Sequence, residues 1–386
     1  MTNASVTPKP FTVRVSDEAL SDLRARLTRV RWPDEPPLEP WSVGTSVAYM
    51  KPLVDYWRDR FDWRAQEAKL NAFASFTVAL AGIDVHFIHE PGQGPNPIPL
   101  LLSHGWPGSV FEFYKIIPML TDPARFGAES ADAFTVVAPS LPGFGFSFRP
   151  GQPRFSVEQI ADVFAELMTV LGYRRFAAQG GDWGAFVTSR LGLMHTERVY
   201  GIHLNMLAVR RDSAMLANPT AEEKVFLEQL QHWIKEEMGY QWIQGTKPQT
   251  LAFALSDSPV GLAAWIMEKF RAWSDCGGDP ERIFSKDELL TNIMLYWVSG
   301  AIGSSFWPYY ARLHSRWPIP EGAFVGVPTG YAEFPREMLH PPRSVAEKVY
   351  NIQRWTKMDK GGHFAALEQP EALARDVREF FRPLRG

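Results

Sequence analysis

Short apolar runs alternate with longer amphipathic stretches along most of this chain. Over 16–30, Leu20, Leu23, Leu27 and Val30 recur at helical spacing. Ser16 stands where a cap belongs, and Asp17 and Glu18 favour the first turn. The prolines of "RWPDEPPLEP" break that helix, and a second helical stretch follows over Val47–Asp59. "FTVAL" (76–80) and "IDVHFIHE" (83–90), separated by Ala81-Gly82, predict a hairpin. "IPLLLSHG" (98–105) and "FTVVAPS" (134–140) are apolar runs ending in turn residues, as buried parallel strands read. Over 156–172, Ser156 and Gln159 form a capping box, Ile160, Val163, Phe164, Leu167 and Leu171 make one stripe, and Gly172 closes the helix. "FAAQGG" (176–181) and "VYGIHLN" (199–205) add two strands, with a helix between them from about Ala185.

From about 207 to 320 the chain turns helical and Trp-rich, with broken periods. Strand patterns resume in "FVGVPTGYAEF" (324–334) and "VYNIQRW" (349–355), and an amphipathic helix closes the chain over 370–384. Strands and helices thus alternate on both sides of one helical block. The expected fold is α/β, a mostly parallel sheet flanked by helices. Its expected parts are an N-terminal extension (1–70), a first core part (71–206), an inserted helical cap (207–320) and a second core part (321–386). No internal repeat interrupts this order.

Composition narrows the function classes. With 386 residues, 45% of them hydrophobic, the chain is long enough for a large core plus an inserted unit. A net charge of −3 gives no reason to expect nucleic acid or an anionic membrane as partner. There is no run of about 18 apolar residues. "MTNASVTPKP" lacks a basic stretch followed by an apolar one, so a cytoplasmic protein is expected. Cys276, the single cysteine, excludes a disulfide framework and a thiolate metal cage, and "SDCGGD" predicts a free thiol in a loop. The 14 tryptophans suit an apolar pocket as well as a large core.

The stretch "QGGDWGAF" (179–186) is where candidate chemistry starts. A strand, a glycine-lined turn and a helix put Asp182 at the C-terminal end of the sheet, where open α/β sheets bind ligands. Taken alone, the motif leaves two roles equally open: a helix cap, or an exposed nucleophile kept ionised by the helix N-terminus. Three further stretches weigh in. "SHGWPGS" (103–109) follows a strand and has the form of a loop that offers a backbone N–H, here from Trp106, to a developing oxyanion; Trp183 would offer the second. "GGHFAALEQP" (361–370) places His363 just past the last strand, where a base belongs in chain order. "YAEFPREMLH" (331–340) supplies Glu333 and Glu337 as partners for that base, which the pattern does not separate, with Asp359 a weaker candidate.

These stretches resemble the epoxide hydrolases of the α/β-hydrolase fold, specifically the microsomal-type branch with an N-terminal extension. The resemblance covers nearly the whole chain. It rests on "FTVRVSDEALSDLRARLTRVRWPDE", "LLSHGWPGSVFEF", "APSLPGFGFS", "GGDWG", "LLTNIMLYWVSGAIGSS", "VPTGYAEFPREMLH" and "GGHFAALEQPE". It implies Asp182 as nucleophile, His363 as general base and Glu337 as the acid that orients it. It further implies two cap tyrosines acting on the epoxide oxygen: Tyr240 in "EEMGYQWIQGTKP" and Tyr309 in "GSSFWPYYARL", with Tyr310 adjacent. The implied reaction adds water to an apolar or aromatic epoxide to give a vicinal diol, with no metal or organic cofactor. Mammalian members of that branch carry an N-terminal membrane anchor. This chain starts without one, so a soluble form, with homo-oligomers possible, is the expectation.

Two other readings stand beside it. A haloalkane dehalogenase shares the aspartate nucleophile, and Trp106 and Trp183 resemble places where such enzymes bind halide; the tyrosine pair and the N-terminal extension favour the epoxide. A non-catalytic binding protein of the same fold would bind ligand without turnover. A serine esterase is disfavoured, since no G-x-S-x-G occurs.

Overall fold

The computed structural model describes residues 7–209 and 216–385. The first six residues of the expected N-terminal extension and residues 210–215 of the expected cap lie outside the described residues.

A nine-stranded sheet runs through the molecule in the order β1-β2-β3-β5-β4-β6-β7-β8-β9. Its strands are β1 (Lys9–Pro10), β2 (Ser75–Leu80), β3 (Ile83–Glu90), β4 (Ile98–Ser103), β5 (Phe134–Pro139), β6 (Phe176–Gly180), β7 (Val199–Leu204), β8 (Val325–Glu333) and β9 (Tyr350–Lys357). β2 and β3 form an antiparallel hairpin across Ala81 and Gly82, both at positive φ, the geometry of a tight two-residue turn. From β5 through β9 the pairing is parallel. β5 is buried at every position, which is why it reads as a continuous apolar run rather than an alternation.

The helices are α1 (Asp17–Leu27), α2 (Val47–Asp59), α3 (Trp63–Leu70), α4 (Ile116–Thr121), α5 (Val157–Val170), α6 (Asp182–Met194), α7 (Ala221–Glu236), α8 (Gly239–Thr246), α9 (Pro248–Asp257), α10 (Pro259–Trp273), α11 (Lys286–Ser299), α12 (Ile302–Ser305), α13 (Trp307–His314), α14 (Arg343–Ala346), α15 (Ala365–Glu368) and α16 (Pro370–Phe381). Their ends follow local chemistry. Ser156 and Gln159 close a reciprocal capping box on α5, each such cap being worth about 1 kcal/mol. One boundary and one helix differ from the sequence reading. α6 starts at Asp182 rather than near Ala185, because its glycines serve close packing instead of ending a turn. α3 was not anticipated; it is two turns long, capped by Asp62, and buries Trp63, Gln66 and Glu67.

Helices α7 to α13 occupy the chain between β7 and β8. The N-terminal segment is fastened to them and to the core. Tyr56 Oη donates to Asp287 at the start of α11 (2.9 Å), and Arg26 donates to the Asp257 carbonyl at the end of α9 (2.7 Å). Glu67 accepts from both the Val15 N–H and the Trp63 indole (2.7 Å each). Cys276 is a buried free thiol in the turn after α10. Among the described residues, no single helix is long and apolar enough to cross a membrane.

Candidate active site

Parallel strands β4, β6, β8 and β9 all end at the same edge of the sheet, and the loops leaving those ends meet there. β6 ends at Gly180, and the chain turns through Gly181 straight into α6. Asp182 sits at that turn with φ +47°, a left-handed backbone that a non-glycine residue holds at a cost of roughly 1–3 kcal/mol. Such strain persists only where the surroundings fix it. Gly184 is part of that fixing: a Cβ there would overlap the Ser103 carbonyl at the end of β4, so only glycine lets α6 press against the neighbouring strand.

The two oxygens of Asp182 have different partners. Oδ1 accepts the Trp106 backbone N–H at 2.8 Å. Oδ2 faces His363 Nε2 at 3.4 Å. Gly105 is pressed against this carboxylate; a Cβ at 105 would overlap Oδ1. Among the described hydrogen bonds the Trp106 amide is the only backbone donor to Asp182, and the Trp183 amide makes none to it.

His363 lies in the loop after β9, anchored by its own N–H to the Trp273 carbonyl (2.9 Å). Its Nδ1 is shared by both Glu337 oxygens, at 2.8 and 3.0 Å. Glu337 comes from the turn after β8, and the two loops are joined by a bridge between Arg336 and Gly362. The alternatives to Glu337 are elsewhere: Glu333 accepts from the Trp355 indole, and Asp359 is exposed. Burial alone would lower the His363 pKa, but the Glu337 and Asp182 carboxylates override it and raise it well above the ordinary value. Next to the oxyanion loop, burial holds His104 down at about 4, so it is neutral. Its Nε2 accepts the Leu141 N–H at 3.1 Å, which leaves the proton on Nδ1 for the Gly105 carbonyl.

Above the carboxylate stands an aromatic box. The Tyr240 ring stacks on Trp106 (centroids 5.4 Å apart, 13° between planes), and the Tyr309 ring meets Trp183 edge-on at 4.7 Å and Tyr240 at 5.8 Å. The Tyr309 hydroxyl and the Trp106 and Trp183 indole nitrogens are buried and lack well-formed hydrogen bonds among the described residues. Burial holds the Tyr309 phenol well above its usual pKa, so it is a neutral donor. Tyr310 belongs to a different environment, stacked between Trp307 and His314.

Several contributors were not identified from sequence. Tyr296 Oη donates to the Gly108 carbonyl (2.6 Å) and Asn292 Nδ2 to the Pro107 carbonyl (2.7 Å), so α11 clamps the loop that carries Trp106. Lys269 is buried with its Nζ 4.6 Å from the Tyr240 ring centre and 5.4 Å from that of Trp273. Glu112 shares a small cavity with Asp182 and His363. A surface groove between the N-terminal segment and the start of α10 is lined by none of these residues.

Comparison with known proteins follows the same lines. The chain matches the family described as "Epoxide hydrolase N terminus" over residues 8–113 and that described as "alpha/beta hydrolase fold" over residues 98–261. It is 42% identical over 402 residues to "Epoxide hydrolase 1" of Oryctolagus cuniculus, covering 96% of this chain and 88% of that protein. Among solved structures, juvenile hormone epoxide hydrolase from the silkworm Bombyx mori superposes with a TM-score of 0.88 at 32% identity, covering 98% of this chain and 95% of the other. Aspergillus niger epoxide hydrolase gives 0.86 at 30% identity, covering 99% and 98%.

Proposed function

The chain belongs to the epoxide hydrolase family, and on that premise we propose that it opens its epoxide through a covalent ester on Asp182. The carrying observation is the division of labour between the two Asp182 oxygens. Oδ1 is held by the Trp106 N–H, and Oδ2 faces His363. Oδ2 is therefore the attacking oxygen, and Oδ1 becomes the ester carbonyl, already in place for its later negative charge.

Aspartate suits this reaction because attack at a saturated carbon gives an alkyl ester that water can cleave, whereas serine would give a stable ether. Ring opening breaks one C–O bond and puts charge on the oxygen. Tyr240 and Tyr309 hydrogen-bond that oxygen, and one phenol hands over its proton. In the second half-reaction His363, oriented by Glu337, takes a proton from water, whose oxygen bonds to the ester carbon. Collapse of the tetrahedral intermediate releases the diol oxygen, which takes the proton back from His363. The acid proton left on Asp182 restores the phenol. Esterification also removes the Asp182 charge that helps to raise the His363 pKa, so the imidazole becomes a freer base once the ester has formed. The aromatic walls of Trp106, Trp183 and Trp273 favour an apolar or aromatic epoxide substituent.

A single turnover in H₂¹⁸O with enzyme in excess tests this reading. Label belongs in the Asp182 carboxylate and not in the first diol released; label entering the diol directly would refute the covalent route. The buried indole N–H groups of Trp106 and Trp183, which lack well-formed hydrogen bonds among the described residues, favour a second reading, displacement of halide by the same carboxylate. Halide release from haloalkanes with no diol formed from epoxides would put that reading first.

A further inference from the structure

Ring opening takes a proton from one phenol, and the surroundings of Tyr240 and Tyr309 are not alike. Tyr240 lies on α8 and Tyr309 on α13, and both are buried. The Tyr240 hydroxyl is held by the residue next to it: Gln241 Nε2 lies 2.8 Å from Tyr240 Oη. Adjacent residues on a helix do not face each other, so a contact between them has to be imposed from outside. Arg312, one turn beyond Tyr309 on α13, imposes it: the guanidinium donates to Gln241 Oε1 at 2.8 Å.

These partners fix which way each hydrogen points. A guanidinium only donates, so the amide oxygen of Gln241 belongs to Arg312. The amide nitrogen is left to Tyr240 and can only donate to it. The phenol oxygen therefore accepts from Gln241, and its own hydrogen is kept for an acceptor in the aromatic box over Asp182. Once that proton has gone, the same Gln241 N–H meets a negative oxygen, and a hydrogen bond to a charged group is the stronger kind. Lys269, buried and ion-paired with Glu268, adds a positive charge 4.6 Å from the centre of the Tyr240 ring. The Tyr309 hydroxyl has no such support. It is buried without a well-formed hydrogen bond among the described residues, and burial above all disfavours its ionised form.

We propose that Gln241, locked by Arg312, is a positioning residue that aims the Tyr240 O–H at the epoxide oxygen and steadies the phenolate left behind, so that Tyr240 gives the proton and Tyr309 stays a neutral hydrogen-bond donor. The inference rests on the ester reading given above. As Asp182 Oδ2 bonds to the epoxide carbon, the ring C–O bond breaks with its electron pair on oxygen, and that oxygen takes the Tyr240 proton. The phenolate keeps the Gln241 N–H until the proton left on Asp182 by ester hydrolysis returns to it. Ester breakdown is carried by His363 and water, so the loss of Gln241 affects ring opening and not the second half-reaction.

The test is single-turnover kinetics with styrene oxide, with epoxide loss, ester on the Asp182 peptide and diol release followed together. Gln241→Glu keeps the size of the side chain and its contact with Arg312 but offers Tyr240 an acceptor in place of a donor, which turns the phenol hydrogen away from the substrate. Ester formation should slow about tenfold or more, with ester breakdown within about threefold of the parent. Gln241→Met, of similar length but without a donor, should show the same split to a lesser degree. In a Tyr240→Phe background, Gln241→Glu should change ester formation by less than about twofold, because Gln241 acts through that hydroxyl. Parental ester formation in Gln241→Glu overturns the inference and leaves the ester reading standing. Equal slowing of both steps, or a full effect that persists in Tyr240→Phe, also overturns it, as a merely structural effect. A parent enzyme that forms no ester on Asp182 fails the reading on which the inference rests.

Discussion

Replacing Glu112 by glutamine should stabilise the fold by an amount that grows with pH. Burial pushes the Glu112 carboxyl up to about 8, against an ordinary 4.5; the nearby His363 charge works against that rise and the Asp182 charge adds to it. Below pH 4.5 the group is neutral in both folded and unfolded chains, and stability is unaffected. Between 4.5 and 8 the unfolded chain ionises freely while the folded one keeps its proton, so each pH unit removes about 1.4 kcal/mol of stability. Above 8 the loss levels off. Glutamine carries no titrating proton and has no such slope. Between pH 5 and pH 8 the advantage of Glu112→Gln should therefore widen by roughly 4 kcal/mol. Taking an unfolding entropy of about 2.1 cal/mol/K per residue, a chain of 386 residues converts that into a Tm difference of about 5 °C. Thermal melts of parent and variant at the two pH values measure it. An advantage that is the same at both pH values, or that shrinks as pH rises, refutes the argument: the first means an unperturbed carboxyl, the second an ionised and paired one.

His363→Gln should form ester on Asp182 in a burst equal to the enzyme present and then stall, with turnover down about 10²–10⁴-fold; normal turnover excludes His363 as the base. Gly105→Ala drives a Cβ into Asp182 Oδ1 and should lower kcat by roughly 10²–10³-fold, whereas Gly184→Ala drives one into the Ser103 backbone and should show first as a lowered Tm. Tyr296→Phe removes the hydrogen bond to the Gly108 carbonyl and should cost about 1 kcal/mol in denaturant unfolding, with kcat falling more than KM changes. Glu337→Gln removes one of two carboxylates that raise the His363 pKa. Since the base works when neutral, the acidic limb of the pH–rate profile for ester breakdown should move to lower pH, besides any loss of rate.

What could be read from the chain divides along a physical line. Strands β4 to β9 and the capped helix α5 were legible because burial imposes a period on neighbouring residues, and a period survives in one dimension. α6 was misjudged at its start because Asp182, Gly181 and Gly184 carry the composition of a turn. The two glycines serve close contact, Gly184 with the end of β4 and Gly181 with Asn205 after β7, a tertiary demand that overrides local propensity. α3 was missed because two turns leave too few residues for a helical stripe to show, and its buried face includes Gln66 and Glu67.

The site shows the same division, one level up. Asp182, Glu337 and His363 each follow the C-terminal end of a strand, so motif and chain order were enough to nominate them; the pattern alone left Glu333 level with Glu337, the resemblance implied Glu337, and in the fold Glu337 contacts His363 while Glu333 accepts from the Trp355 indole. The groups that hold those residues in place gave no such signal. Asn292 and Tyr296 are four apart on α11 and look like one more helix face; only the folded chain shows that they grip the carbonyls of Pro107 and Gly108. Glu112 did leave a trace, a carboxylate between two phenylalanines in "VFEF". Both rings are buried, and an acid between two buried rings is either at a surface edge or enclosed with them. Sequence treats those cases alike, because the cavity that separates them is made by β4, β6 and the loop after β9, residues from three distant parts of the chain. Candidates for chemistry are thus found by what a residue is, and the water and geometry they depend on by what the fold encloses.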